Sequence, residues 1–143
     1  MIIPLLALTS AALFCGAAIY VLAVEHVARG ELDDRAALTE WKPAYRRGAA
    51  MQATIALVAT GFGAIARWRT GNSWYGIGAI LALLPWPWTL LFINPTNDRL
   101  LVMPIEAAGS ESRRLLERWG RLHAVRMLLG GCATVAFLVA LLP

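Results

Sequence analysis

The chain has 143 residues, 59% of them hydrophobic and 15% charged, with a mean hydropathy of +0.60 and a pI near 9.7. That composition excludes a soluble domain of this length and points to a membrane protein. The net charge of +4 comes with no nucleic-acid motif and no solvated basic domain, so no nucleic-acid partner is expected.

A spanning helix needs about 20 mostly apolar residues, because the hydrocarbon core is roughly 30 Å thick and each residue rises about 1.5 Å. Four segments meet that requirement. The first, residues 2–24, is uncharged throughout. Val21-Leu22-Ala23 resembles a small-residue cleavage site. No Lys or Arg precedes the run, however, and it is longer than a signal's apolar region, so it is expected to persist as a helix. The second segment is 48–66. The third, 74–93, contains Pro85 and Pro87 in "LLPWPWTLL", and each proline removes a donor and crowds the preceding turn, which predicts a kink. Pro95 is expected to end it. The fourth is 119–142. Its uncharged part, Met127 to Pro143, is short, so the turn before it, "RLHAVR", is expected to enter the membrane edge with His123 and Arg126. Ser110 can cap a helix ahead of this span, either lying along the surface or continuous with it.

These segments make one all-α domain over residues 1–143, a four-transmembrane-helix bundle and polytopic membrane protein. Small residues at Ala12 and Gly16, Ala49 and Ala53, Gly61 and Gly63, Gly76 and Gly78, and Gly130 and Gly131 predict close helix approach. Cys15 and Cys132 lie in apolar helices without CxxC spacing and read as small buried side chains. Trp41, Trp68 and Trp74 sit near span boundaries, where an amphipathic ring is comfortable. Trp86 and Trp88 lie deeper and are candidates to line a pocket.

Eleven of the thirteen Lys and Arg residues fall after the first or third span, leaving only Arg67 and Arg69 on the other side. The positive-inside rule then puts both large loops in the cytoplasm and both termini outside, with the bacterial cytoplasmic membrane as the expected location. The expected partners are the lipid bilayer and a lipophilic small molecule, with homo-oligomerisation left open.

This topology gathers Glu25 and His26, Arg46 and Arg47, Asn94, Asn97 and Arg99, and Trp119, His123 and Arg126 at one end of the bundle. On the fourth helix Trp119, His123 and Arg126 stand at i, i+4 and i+7, within about 60° of one another at 100° per residue, so the stripe is expected to face inward. An ionisable group inside a membrane costs about 2.5 to 3.5 kcal/mol at the centre on insertion scales and is a functional candidate by default. For Arg126 the bland alternatives are snorkelling to the headgroups or pairing with Glu25. His123 is the natural proton acceptor of a half-dry pocket. His26, turned about 100° from Glu25, can point away. The two histidines with Glu25 would make a two-His, one-carboxylate metal set, and the histidine pair would suit haem. No diagnostic spacing joins them, so no metal is assigned.

Three stretches carry a family resemblance: "LTEWKPAYRRGAAMQA" at 38–53, "WPWTLLFINPTNDRLL" at 86–101 and "SRRLLERWGRLHAVRMLLG" at 112–130. Over nearly its whole length the chain resembles the anthrone oxygenase-like integral membrane family, most bacterial members of which are known only as a domain of unknown function. The resemblance implies a four-helix membrane protein and, in the characterised branch, oxidation of a polyketide anthrone to an anthraquinone with dioxygen as co-substrate. Because a delocalised anthrone carbanion can pass an electron to oxygen without a metal, no cofactor is expected, with a metal or haem on His26 and His123 left open. The resemblance places Asn97, Arg99 and Leu100 in a loop signature and Trp119, His123 and Arg126 in a helix signature. Such chemistry needs a base, an oxyanion partner and a flat apolar slot. His123 is the expected base and Asn97 and Arg126 the expected oxyanion partners. Trp119 with Trp86 or Trp88 would form the stacking walls, with Asn94, Glu25 and His26 also lining the substrate site. The resulting expectation is a membrane oxygenase or oxidoreductase acting on a planar lipophilic anthrone, phenol or quinone. The competing reading is a non-catalytic membrane protein, either an accessory subunit or a small-molecule binding or permeation module.

Overall fold

The structure is a computed structural model describing residues 1–143. Its four long helices are α1 (Ile2–Gly30), α2 (Asp34–Thr70), α3 (Ser73–Val102) and α4 (Ser110–Leu141), each long and apolar enough to cross a membrane. Leu13, Leu57, Ile80, Leu91, Leu128 and Val135 all face outward, as they would against lipid tails. The chain is thus an integral membrane protein.

Local chemistry sets the helix ends. Asp33 starts α2: its side chain accepts from the Arg35 and Ala36 amides at 3.0 and 2.9 Å. Gly71 ends α2 in the left-handed region at φ 73°, which glycine adopts without strain. Asn72 accepts from the Trp74 amide at 3.0 Å to start α3 and donates to the Ala140 carbonyl at 3.2 Å, tying this turn to the end of α4. At the start of α4 the capping side chain is Ser112, not Ser110: its hydroxyl accepts from the Gly109 amide at 3.0 Å and donates to the Gly109 carbonyl at 2.8 Å. At the other turn of this end, Arg113 donates to Asp34 at 2.7 Å and to the Leu32 carbonyl at 2.6 Å, holding the α1–α2 turn against α4.

Sequential helices are antiparallel neighbours, and α1 closes the ring against α4. Two cores fill it. At one end Ala7, Ala11, Ala59, Ala66, Ala82, Ala133 and Ala140 surround Tyr75 and Phe137, so the backbones approach closely. At the other, Leu38, Trp41, Ile93, Leu100, Leu115, Leu116 and Trp119 form a core of larger side chains.

Two boundaries differ from the sequence expectation, and the entry of α4, which the sequence left open, is decided. Residues 34–47 are helix, not loop, because Asp33 caps them and Leu38 and Trp41 bury an inward face. At about 1.5 Å per residue, α2 is about 55 Å long and projects well past the hydrocarbon. Pro95 does not end α3, which runs on to Val102; a wide turn at Thr89–Ile93, closed by the Asn94 amide on the Thr89 carbonyl, accommodates the missing proline donor. α4 is a single continuous helix. A second wide turn lies at Val21–Glu25 in α1, closed by the His26 amide on the Val21 carbonyl.

The small residues are not equivalent. Gly16 and Gly61 face open space, whereas a Cβ on Gly63 or Gly78 would stand 2.6 or 2.5 Å from the Phe137 ring. Gly63 is on α2 and Gly78 on α3, and the fully buried ring of α4 lies against both, so it cannot yield to one without striking other packing. Both Gly63→Ala and Gly78→Ala are expected to lower stability by about 1–3 kcal/mol, and Gly61→Ala by no measurable amount, in detergent unfolding titrations.

Candidate functional site

Beside the aromatic core the four helices leave a small cavity of about 40 Å³. Val21, Glu25 and Arg29 of α1, Trp41, Tyr45 and Gln52 of α2, Ile93 of α3, and Trp119, His123 and Arg126 of α4 contribute to its wall. Both wide turns border it, through Val21, Glu25 and Ile93. Such turns recur at functional sites because they widen a helix and re-aim its side chains.

The α4 stripe faces inward as its spacing predicts. Trp119, His123 and Arg126 are buried, His123 at 3% exposure and Arg126 at 7%. The His123 ring stacks on Trp119 with centroids 5.0 Å apart and planes 22° from parallel. Its Nε2 is buried with no hydrogen-bond partner. A lone nitrogen of this kind in a cavity wall is available to a ligand proton.

Arg126 neither snorkels nor meets Glu25. It donates through Nη2 to Gln52 Oε1 at 3.1 Å, lies 5.7 Å from the Phe14 ring centroid, and leaves Nε unpartnered. No carboxylate pairs with it. Glu25 pairs instead with Arg29 one turn along, and Arg29 also pairs with Glu40 of α2. Arg29 is 3% exposed and lies 5.8 Å from the Trp119 ring centroid, a cation on the face of an aromatic wall.

Asn97 is buried but does not line the cavity. Its Nδ2 donates to the Tyr45 hydroxyl at 2.9 Å and to Asn94 Oδ1 at 3.2 Å. It therefore reaches the cavity only through Tyr45, with Asn94 behind it. Trp86 borders a different cavity and donates to the Ala53 carbonyl at 3.3 Å. Trp88 donates to the Leu122 carbonyl at 3.0 Å and packs on Phe92 at 4.4 Å, which makes it a strut between α3 and α4. His26 packs on Trp119 at 6.0 Å and over Gly120, whose missing Cβ leaves room for the imidazole. His26 lines a separate polar cavity that shares Arg29 with the main one. Both histidines thus contact Trp119, yet no three His, Cys, Asp or Glu side chains converge to hold a metal ion.

Among the polar and aromatic cavity residues, four escaped the sequence reading: Trp41, Tyr45, Gln52 and Arg29. Trp41, expected at the interface, is fully buried, stacks on Tyr45 at 4.8 Å and meets Trp119 edge-on at 5.9 Å. Leu38, Trp41, Tyr45, Gln52, Ala56, Ala59, Gly63 and Ala66 follow one helical stripe. It becomes visible only when α2 is started at Asp34.

Gln52 is the side-chain acceptor for a buried guanidinium. Gln52→Leu is expected to destabilise the protein by about 1–3 kcal/mol, the penalty for stranding a buried donor, while Gln52→Glu keeps an acceptor and retains stability. Melting temperatures of the two variants in one detergent check this.

Comparisons with known proteins give the family. The anthrone oxygenase family matches residues 41–136, a span holding every α2, α3 and α4 residue named in the cavity wall and leaving Glu25 and Arg29 outside it. Two curated relatives are fungal. Anthrone oxygenase dmxR16 of Cryptosporiopsis sp. (strain 8999) is 30% identical over 98 residues, covering 64% of this chain and 56% of the relative. Anthrone oxygenase tpcL of Aspergillus fumigatus is 46% identical over 55 residues, covering 36% of this chain and 34% of the relative. The chain thus spans about half or less of the length of these relatives, and both being fungal, they lend no support to a bacterial setting. No solved structure matches. With its matched segment covering most of α2 through α4, the chain belongs to the anthrone oxygenase family.

Proposed function

We propose that the protein is a membrane oxygenase that converts a planar, lipophilic anthrone-class substrate to the corresponding quinone with dioxygen. The observation that supports this most directly is the unpartnered Nε2 of His123, held against the Trp119 indole in a cavity shared with Arg126 and the Tyr45 hydroxyl. Family membership supports it independently. In this reading the α1–α2 and α3–α4 turns face the cytoplasm, as their Lys and Arg content favours.

The chemistry follows from the substrate's own acidity. Trp41 and Trp119 hold the flat ring system, and His123 Nε2 takes a proton from the methylene carbon between the two arene rings. The resulting carbanion is delocalised onto the carbonyl oxygen, where Arg126 and the Tyr45 hydroxyl donate to the developing charge. Asn97 acts as a positioning residue through the Tyr45 hydroxyl.

The carbanion gives one electron to dioxygen, and the two radicals combine to form a carbon–oxygen bond. Protonation by the imidazolium gives a hydroperoxide. Loss of the second methylene proton with cleavage of the O–O bond expels water and leaves the new carbonyl. Overall, anthrone and one dioxygen give anthraquinone and one water. The scheme assigns electron transfer to the stabilised carbanion and proton movement to His123.

His123→Ala is expected to reduce anthrone-dependent oxygen uptake by about 10²-fold or more, with binding of the product anthraquinone changed far less. Uptake unchanged in His123→Ala removes the base assignment. Stoichiometric iron or a Soret band in the purified protein would reassign His26 and His123 as ligands, and anthraquinone binding without oxygen uptake would make the protein a carrier.

A further inference from the structure

A second cavity, a cleft of about 90 Å³, lies between α2 and α3. Ala53 and Ala56 form one wall, Pro85, Trp86 and Leu90 the other, and Arg126 closes its inner end. Arg126 is also the one residue this cleft shares with the main cavity. Trp86 and Leu90 face outward at its mouth, within the apolar part of α3, where the surroundings are lipid tails.

The polar groups of the cleft are already satisfied. Trp86 Nε1 donates to the Ala53 carbonyl at 3.3 Å, and the Thr89 hydroxyl donates to the Pro85 carbonyl at 2.7 Å. Pro85 and Pro87 contribute no amide N–H to this stretch of α3. The walls therefore suit an apolar, flat molecule until it meets Arg126. There the Arg126–Gln52 hydrogen bond at 3.1 Å joins α4 to α2 where the two cavities meet, and it is a single neutral-acceptor bond with Arg126 Nε left unpaired. Such a bond can break and re-form far more readily than a packed helix interface can part.

We infer that the α2–α3 cleft is a lateral entrance through which a planar lipophilic ligand passes from the bilayer into the main cavity, with the Arg126–Gln52 bond as its inner gate. This deepens the proposed function and rests on it for the identity of the ligand. The main cavity, about 40 Å³, and the cleft, about 90 Å³, are smaller than ordinary small-molecule sites, so a fused-ring ligand passes only as the Arg126–Gln52 bond opens and the lining side chains move apart. The route also keeps an insoluble substrate out of water.

The test is a labelling rate that needs no turnover. In full-length protein carrying Cys15→Ala and Cys132→Ala, Ala49→Cys places one thiol in the main cavity wall. N-(1-pyrenyl)maleimide dissolved in phosphatidylcholine vesicles is the planar, apolar probe. Leu90→Trp fills the mouth of the cleft, and Leu91→Trp puts the same bulk on the neighbouring outward face, which does not border it. Labelling of Ala49→Cys is expected to slow about tenfold with Leu90→Trp and to keep its rate with Leu91→Trp. Equal rates in all three backgrounds overturn the entrance, as does a folded protein that is never labelled while its unfolded form is. Labelling through the cleft in a protein that neither binds anthraquinone nor consumes oxygen with anthrone would keep the entrance and remove the anthrone reading.

Discussion

The Phe137 ring against Gly63 and Gly78 governs the shape of the bundle. Lipid tails are as apolar as the helices, so association inside a membrane gains little from hydrophobic burial and depends on close van der Waals fit. At this end the fit is supplied by alanine and glycine faces closing on one aromatic side chain. A second close approach, Gly130 under the Phe14 ring, joins α4 to α1. At the other end bulky Trp41, Tyr45 and Trp119 pack together, and the cavity lies against these rings.

Two arginines face that cavity in different electrostatic settings. Arg29 has two carboxylate partners and ties α1 to α2, so its charge is largely compensated within the protein. Arg126 has only the Gln52 amide oxygen and the Phe14 ring, so its charge remains available to an incoming anion. A buried cation without a counter-ion is costly in a low-dielectric site, and an anionic intermediate would supply what is missing. A buried cation that waits for its partner is poised for charge that develops during a reaction.

Much of the fold was legible because spanning length and the lack of charge are properties of short windows. The inward stripe of Trp119, His123 and Arg126 was legible too, since i, i+4, i+7 spacing survives whatever the rest of the helix does. The partners of those residues were not. Gln52 carries no charge or motif to mark it, and Trp41 sits among charged residues that look like a solvated loop until the helix is extended back to Asp34. Pro95 misled for a related reason, since a wide turn upstream lets a helix continue past a proline. Asn97, singled out by motif, proved to be one hydrogen bond removed from the cavity, a distance that linear spacing does not encode.

The two wide turns, Val21–Glu25 and Thr89–Ile93, have a further meaning for how such a chain can vary. A helix that bonds i to i+5 over a few residues accommodates one residue more than a regular helix of the same rise. Each turn is thus a place where a residue can be gained or lost without moving the packed ends. A single-residue insertion or deletion in α1 or α3 would be absorbed best at these two levels, inside the helices rather than in loops. Because both turns border the cavity, each such change alters its outline while Phe137, Gly63 and Gly78 keep their places, so the bundle can reshape its interior one residue at a time.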